Sequence, residues 1–136
     1  MVFGTAEKVL VVGGTLNLAL AFVLGYALSA FRLRDATADP HFLLSAHELA
    51  IQEGVMLLAL TFAVRLSELS SGLETIAAVL LVAASAFQDA AAIANHLGAV
   101  RDQFAERSFG WKLATTNAML ATAGLAILVV GVLRAL

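Results

Sequence analysis

Four polar side chains lie close together near the start of an otherwise apolar segment, residues 42–64. They are His47, Glu48, Gln52 and Glu53. At about 100° per residue of a helix, Ala50 and Gly54 fall on the same face as His47, whereas Glu53 points elsewhere. An imidazole beside small residues leaves a surface on which a flat ligand can lie. Imidazole is also an axial ligand of haem iron, so this face is a candidate cofactor site.

These residues also have a structural interpretation. His47 can hydrogen-bond a neighbouring helix, and Glu48 can sit at the membrane surface. Gln52 and Glu53 lie deeper, where a polar or ionisable side chain is costly and usually has a use. We therefore predict Gln52 and Glu53 as catalytic residues. The predicted cofactor-binding residues are His47, Ala50 and Gly54, with His47 as the metal ligand.

A second polar stripe occupies residues 73–97. Its members follow i, i+4, i+7, i+11 spacing and share one helical face: Ser85, Asp89, Ala92 and His96. Asp89 lies near the middle of the segment, where a charge is most expensive unless it is paired, and it is the third predicted catalytic residue. Its alternative role is a structural hydrogen bond to another helix. The alternative for His96 is a solvated position at the helix end.

The composition defines the elements that position these residues. Of 136 residues, 61% are hydrophobic and 13% are charged, against roughly 25% charged in a soluble domain. Mean hydropathy is +0.93, and a single Pro favours helices over strands. The chain has no Cys, which excludes disulfides and thiolate metal sites. A net charge of −2 provides no basic surface, so we expect no nucleic-acid partner.

The hydropathy pattern predicts four transmembrane helices, each about 20 residues long as a bilayer requires. They cover about residues 9–31, 42–64, 73–97 and 111–133. Short connections make sequential helices antiparallel neighbours, which predicts an all-α, integral membrane, antiparallel four-helix bundle in one domain, 1–136. We expect Gly98 to end the third helix in a left-handed conformation. We also expect a multi-pass protein of a bacterial inner (cell) membrane.

Small residues form a stripe on the first predicted helix, namely Gly14, Ala21 and Gly25. In lipid no hydrophobic effect drives helices together, so small residues mark the surfaces where helices approach closely. We interpret this stripe, and the alanine-rich third helix, as packing surfaces. Four short-looped helices leave little interior for a porphyrin, so we expect a homo-oligomer with any cofactor near a subunit interface.

One stretch resembles a known family. Ala46-His47, followed by Gly54 and Met56, is similar to the second-helix signature of styrene oxide isomerase, and Asp89 falls where that family has an Asp ahead of an Asn-containing segment. The similarity covers most of the chain at low identity, and its strongest motif is a few residues long. The number of spans and the short loops also agree.

The resemblance implies a homotrimer that binds haem b at subunit interfaces through one axial His, here His47. It implies that ferric iron acts as a Lewis acid on the oxygen of a small hydrophobic epoxide, and that a hydride shift then gives an aldehyde. Two departures stand out. Glu53 replaces an Asn of the family, and an alanine-rich third helix replaces one with aromatic residues, so that Tyr26 in the first helix is the only Tyr.

Two other functions are open at this stage. A small four-helix transporter or accessory subunit without catalysis could use Glu53 and Asp89 to couple protons to a substrate. A non-haem metal site could draw its ligands from facing helices, with His47, Glu48, Glu53 and Asp89 as the available side chains. Glu53 lies about 120° from His47 around a helix, which serves a single metal poorly.

Overall fold

A computed structural model describes residues 3–136 and consists of four α-helices joined by short loops. The helices are α1 (Thr5–Arg34), α2 (His41–Leu66), α3 (Ser71–Leu97) and α4 (Phe109–Arg134). Residues 3–136 contain no strand. Each helix contains one predicted span and is long and apolar enough to cross a membrane. The predicted all-α class of membrane bundle is therefore confirmed.

Local sequence determines several helix ends. Pro40 precedes α2, where its missing N–H costs nothing. The Ser108 hydroxyl accepts a hydrogen bond from Trp111 N at 3.0 Å and caps α4. In the loop before α4, the backbone N–H groups of Asp102 and Arg101 donate to the Glu106 carboxylate, and they hold its pKa below the usual value. These hydrogen bonds define the shape of the loop outside the membrane.

The end of α3 differs from the prediction. Gly98 has φ −80°, and the left-handed residue is Ala99, with φ 48°. Ala99 N donates to His96 O and Val100 N donates to Asn95 O, both at 3.1 Å. This pair of bonds is a Schellman motif whose left-handed position falls one residue beyond Gly98. The prediction was wrong because it placed the end of the helical hydrogen bonding one residue too early.

The helices are not equivalent in their packing. α1 packs mainly against α2 and α3 mainly against α4, while α3 also contacts both α1 and α2. α4 makes no contact with α1 across the described part of the chain. At the end of the bundle that holds the termini, an ion pair between Arg65 and Glu7 joins α2 to α1. α3 is thus the central helix, and three of the six buried polar side chains of residues 3–136 lie on it.

The core divides into two apolar clusters separated by a polar layer. The first cluster contains Ala6, Leu10, Leu57, Val64, Ala77, Ala78, Leu81 and Leu128. The second cluster contains Ala21, Leu24, Leu43, Ala46, Ala50 and Ala92. Between the two clusters, α1, α2 and α3 carry four polar residues with buried side-chain atoms, namely Asn17, Glu53, Ser85 and Asp89. We call these four residues the polar layer.

Two glycines set the distance between α1 and α2. A Cβ on Gly54 would lie 2.8 Å from Leu18 Cγ and 3.0 Å from the Gly14 carbonyl oxygen. A Cβ on Gly14 would lie 2.8 Å from the Gly54 carbonyl oxygen. Backbone atoms cannot move aside as the end of a flexible side chain can. The close approach of the two helices therefore requires glycine at both positions.

This contact predicts that Gly54→Ala destabilises the bundle, because the new methyl group forces α1 away from α2. We expect the free energy of unfolding to fall by about 1–3 kcal/mol, the usual cost of overpacking. Gly72→Ala is the matched control, since a Cβ on Gly72 meets nothing within 4 Å and alanine favours a helix. Thermal unfolding in detergent, followed by circular dichroism, measures both. Equal stability of the two variants would contradict the proposed contact.

Candidate functional site

His47 is oriented by a backbone group of the neighbouring helix. Its Nδ1 lies 2.8 Å from the carbonyl oxygen of Ala21 on α1. A carbonyl only accepts, so Nδ1 carries the hydrogen in this bond, and Nε2 keeps a lone pair. Gly25 makes room for the ring, because a Cβ there would lie 3.1 Å from His47 Cε1. The imidazole is thus fixed in one tautomer beside α1.

The half-buried His47 ring lines two grooves on the outer surface between α1 and α2. The larger, of about 370 Å³, is lined by Phe22, Gly25, Tyr26, Leu28, Ser29 and His47. The smaller, of about 240 Å³, is lined by Leu18, Ala21, Phe22, His47 and Ile51. We call the two together the His47 groove. Its walls are mostly apolar, and Tyr26 is 77% exposed at its edge.

The other predicted cofactor-binding residues lie elsewhere. Ala50 is fully buried in the second cluster, and Gly54 is buried against α1. Neither is among the residues that line the His47 groove. Most of the groove wall comes from α1. The small-residue stripe of α1 therefore has a role besides helix packing, because Gly25 within it also accommodates the imidazole.

The predicted catalytic residues separate into two groups. Gln52 lies on the exposed face of α2, next to Ile51 of the groove, and Glu48 is exposed too. Glu53 and Asp89 instead lie in the polar layer. Among residues 3–136, no three His, Asp or Glu side chains are arranged to hold a metal ion. The non-haem metal site considered from the sequence is therefore not formed, because α2 directs its polar residues to different sides.

The polar layer contains one satisfied pair and one unsatisfied pair. Asn17 Nδ2 donates to Ser85 Oγ at 3.0 Å, and the Ser85 hydroxyl donates to Val82 O at 2.9 Å. Both oxygens of Asp89 and Oε2 of Glu53 are buried and have no hydrogen-bond partner within residues 3–136. Asp89 is only 3% exposed. The two carboxyl groups are close enough to interact electrostatically.

Asn17 and Gln52 are the neutral polar residues nearest to Asp89 in depth along the predicted spans, and the sequence therefore predicts them as its hydrogen-bond partners. The structure instead gives Asn17 to Ser85 and turns Gln52 outward. The position of each residue along its predicted span gives its depth in the membrane. It does not give the side of the helix from which the side chain projects. A further hydrogen bond near this level joins α4 to α3, from Asn117 Nδ2 to Gln88 Oε1 at 2.8 Å.

A third polar group holds the end of α3 against the start of α4. Asn95 is 1% exposed; its Nδ2 donates to Gln103 Oε1 at 2.8 Å, and its Oδ1 accepts from the Ser108 hydroxyl at 2.7 Å. Gly110 packs directly on the Asn95 side chain. His96, on the next position, meets Phe31 edge to face with ring centroids 5.5 Å apart. This network connects the loop between α3 and α4 to the bundle interior.

Comparison with known proteins gives no match: no family model, no curated protein and no solved structure is similar to this chain.

The hydrogen bonds of Asn95 predict that its substitution destabilises the protein more than substitution of the adjacent His96 does. Asn95→Ala removes both hydrogen bonds, so that Gln103 Oε1 loses its donor and the Ser108 hydroxyl loses its acceptor. We therefore expect a loss of about 1–3 kcal/mol in the free energy of unfolding. His96→Ala is the control, because His96 lies outside the network. Thermal unfolding in detergent measures the difference. If Asn95→Ala and His96→Ala unfold at the same temperature, the network does not hold the loop against the bundle.

Proposed function

We propose that this chain is a haem b-dependent membrane isomerase that opens an epoxide to a carbonyl compound, a Meinwald-type reaction. The observation that carries the proposal is the hydrogen bond between His47 Nδ1 and Ala21 O, at 2.8 Å. A histidine that ligates a metal normally donates its other ring N–H to a carbonyl or carboxylate, which fixes the tautomer. His47 already has this partner, and its Nε2 remains for the iron.

The surroundings of His47 also suit a flat cofactor. Gly25 has no side chain to cover the imidazole, and Phe22 and Ile51 give the groove apolar walls. A porphyrin is large and mostly apolar, so it gains from contact with such a surface. The groove is open on the side away from the bundle, so a substrate or another subunit could reach a cofactor held there.

When bound, the ferric iron supplies a Lewis acid for the epoxide oxygen. The chain itself contributes the ligand His47 and an apolar environment from Phe22 and Leu28, which favours a small hydrophobic substrate and excludes water. Gln52 follows Ile51 directly and is also exposed. It does not line the groove, but its amide can donate a hydrogen bond to the oxygen of a substrate that extends beyond the groove. Gln52 is the best placed of the three predicted catalytic residues.

Glu53 and Asp89 are supported as catalytic residues by their depth in the predicted spans, and Asp89 also by the family resemblance. Both lie in the polar layer inside the bundle, and neither is among the residues that line the His47 groove. A substrate in the groove would meet them only if it entered between α2 and α3. Their carboxyl groups therefore act on such a substrate less directly than Gln52 does.

The proposal includes assembly into a homotrimer in a bacterial inner membrane, with the cofactor near a subunit interface. Gln52 is exposed at the depth of the polar layer, and polar side chains are costly when they face lipid tails. A second copy of the chain would cover Gln52 and close the outer side of the His47 groove. Membrane lipid would cover the remaining apolar surface of the bundle.

The first test concerns the iron ligand. We expect His47→Ala to lower the haem-to-protein ratio by more than about tenfold, since loss of even an outer-shell partner of a metal ligand typically costs 10–100-fold in affinity. His41→Ala and His96→Ala should keep the cofactor, because both residues lie at one end of the bundle, away from the groove. The measurement is the intense violet absorption band of the detergent-purified protein after expression with adequate haem.

Each outcome of this test bears on the proposal. A wild-type protein without the band would remove the haem assignment. Retention of haem in His47→Ala would remove His47 from the site. Equal loss in His96→Ala would indicate two histidine ligands or a different ligand.

The second test concerns assembly. In the proposed assembly, the Gln52 amide hydrogen-bonds a neighbouring subunit. Gln52→Leu replaces this amide with an apolar side chain that can face lipid without a partner. An interhelical hydrogen bond in a membrane contributes about 0.6 kcal/mol on average and up to about 2, so we expect several-fold weaker association of the subunits. Native mass spectrometry of the wild type and of Gln52→Leu measures this. Monomers alone that still carry haem would contradict the assembly.

One observation favours a second function, a small membrane transporter without catalysis. The unpartnered carboxyl groups of Glu53 and Asp89 are residues of the kind that couple protons to transport. The absorption spectrum separates the two functions, because the transporter needs no haem. A haem-free wild type that carries a substrate against its gradient in vesicles, driven by a proton gradient, would favour transport.

A further inference from the structure

The Glu53–Asp89 pair is a buried acidic pair without a counter-ion. Three of its four carboxyl oxygens are buried and lack a partner within residues 3–136. The neighbouring helices supply no cation at this level. α1 has no ionisable residue between Lys8 and Tyr26, and α4 has none between Lys112 and Arg134.

The remaining charged groups of α2 and α3 do not neutralise the pair. On α2, His41 and Glu48 are exposed, and His47 hydrogen-bonds Ala21 O on α1. Arg65 is paired with Glu7 near the other end of the helix. On α3 they are Glu74 and His96, near its two ends. A buried carboxylate without a partner is very costly, so the pair must hold a positive species in the folded protein.

The chemistry of the pair favours a proton over a metal ion. Ca²⁺ takes six to eight oxygen ligands, and Mg²⁺ needs a nearly ideal octahedron. Glu53 and Asp89 are not joined by a third acidic or histidine ligand, and the Asn17 amide already donates to Ser85. A proton needs only one carboxyl oxygen, and it removes the repulsion between the two groups.

Two clefts that share lining residues from α2 and α3 lie at the end of the bundle that holds the 35–40 and 98–108 loops. The outer cleft, of about 440 Å³, is lined by Asp39, Arg101 and His96 among others, and the inner cleft, of about 180 Å³, by Ser45 and Gln88 among others. Both clefts are lined by His41, Phe42 and Asn95. At roughly 30 Å³ per water molecule, the inner cleft has room for a short file of waters. Its hydroxyl and amide groups supply the hydrogen bonds that such waters need.

The lining of the inner cleft includes one residue of α2 and one residue of α3 that lie one helical turn from the acidic residue on the same helix. Leu49, in its wall, precedes Glu53 by four residues on α2, and Ala92 follows Asp89 by three residues on α3. Residues at these spacings lie on the same side of a helix. Gln88, also in the wall, is the residue directly before Asp89. The lining of the inner cleft therefore comes within one helical turn of the acidic residue on both helices.

We propose that Glu53 and Asp89 form a proton-binding site that exchanges its proton with water through the two clefts, at the end of the bundle that holds the 35–40 and 98–108 loops. The proton comes from water on that side and returns to it, so no other reactant is needed. The site does not rest on haem binding, because none of its residues lines the His47 groove.

The test is infrared spectroscopy of the full chain, as purified, in lipid at neutral pH. A protonated carboxyl group has a carbonyl stretch well separated from the carboxylate bands, and it shifts when D₂O replaces water. We expect this band in the wild type and its loss in the Glu53→Gln/Asp89→Asn double variant. If the double variant does not fold, Asp89→Asn alone should reduce or shift the band.

The access route is tested by the rate of the D₂O shift. Ala114 lines the inner cleft, so Ala114→Leu should displace its water and slow the exchange by about tenfold or more, since a proton crosses apolar surroundings only at high cost. Ala121→Leu is the matched control. Ala121 is also half-buried, lies two turns further along the same face of α4, and does not line the cleft. The carboxyl proton of the Ala121→Leu variant should exchange with D₂O at the wild-type rate.

Several results would overturn the proposal. A wild type without a protonated carboxyl band would mean that both groups are ionised. Thermal stability that rises with Na⁺ but not with choline, again without the band, would assign the pair to a metal cation. Equal exchange rates in Ala114→Leu and Ala121→Leu would rule out the clefts as the route.

Discussion

Close approach of helix backbones is the constraint on which the rest of this structure depends. Lipid tails are as apolar as leucine, so burial of apolar side chains does not drive one helix against another inside a membrane. The contact between α1 and α2 is instead made by Gly14 and Gly54, whose backbones meet directly. α4 uses the same device, because a Cβ on Gly124 would lie 3.0 Å from the Ala77 carbonyl oxygen of α3. Small residues therefore determine which helices are neighbours.

The same small residues create the space for the polar groups. Gly25 leaves room for the ring of His47, and the hydrogen bond to Ala21 O forms because α1 lies so close to α2. On α3, alanines allow α1 and α2 to approach, which brings Asn17 within 3.0 Å of Ser85. Asp89, one turn further along α3, is buried by the same approach. The small residues that allow the helices to pack closely are thus the same residues that position the candidate functional side chains.

Much of the fold follows from patterns that a sequence displays directly. Four apolar segments between charged residues predict four membrane helices, and short loops predict their antiparallel order. The depth of Asp89 and the inward position of Glu53 also follow, since a carboxyl group cannot face lipid without cost. Such predictions depend only on the cost of placing a polar group in the lipid bilayer and on the number of residues per helical turn.

The directions of individual side chains depend on which helices meet, and the sequence alone does not determine that. Gln52 and Glu53 are adjacent, yet one is exposed and the other faces the bundle. Ala50 and Gly54 share a helical face with His47, but that face packs against α1, so the groove is lined by α1 residues instead. Ala99 shows a similar limit, because its left-handed conformation depends on where the hydrogen bonds of α3 end.

α2 therefore carries the two proposed sites on two of its sides. His47 belongs to the outer surface, where a flat cofactor or a second subunit can reach it. Glu53, about 120° away around the helix, belongs to the interior that it shares with Asp89 and the water-accessible clefts. An outer ligand and an inner proton can then be bound independently, and any influence of one on the other must pass through the position of α2. Because Gly14 and Gly54 fix that position through backbone contact, α2 is the physical connection between the two sites.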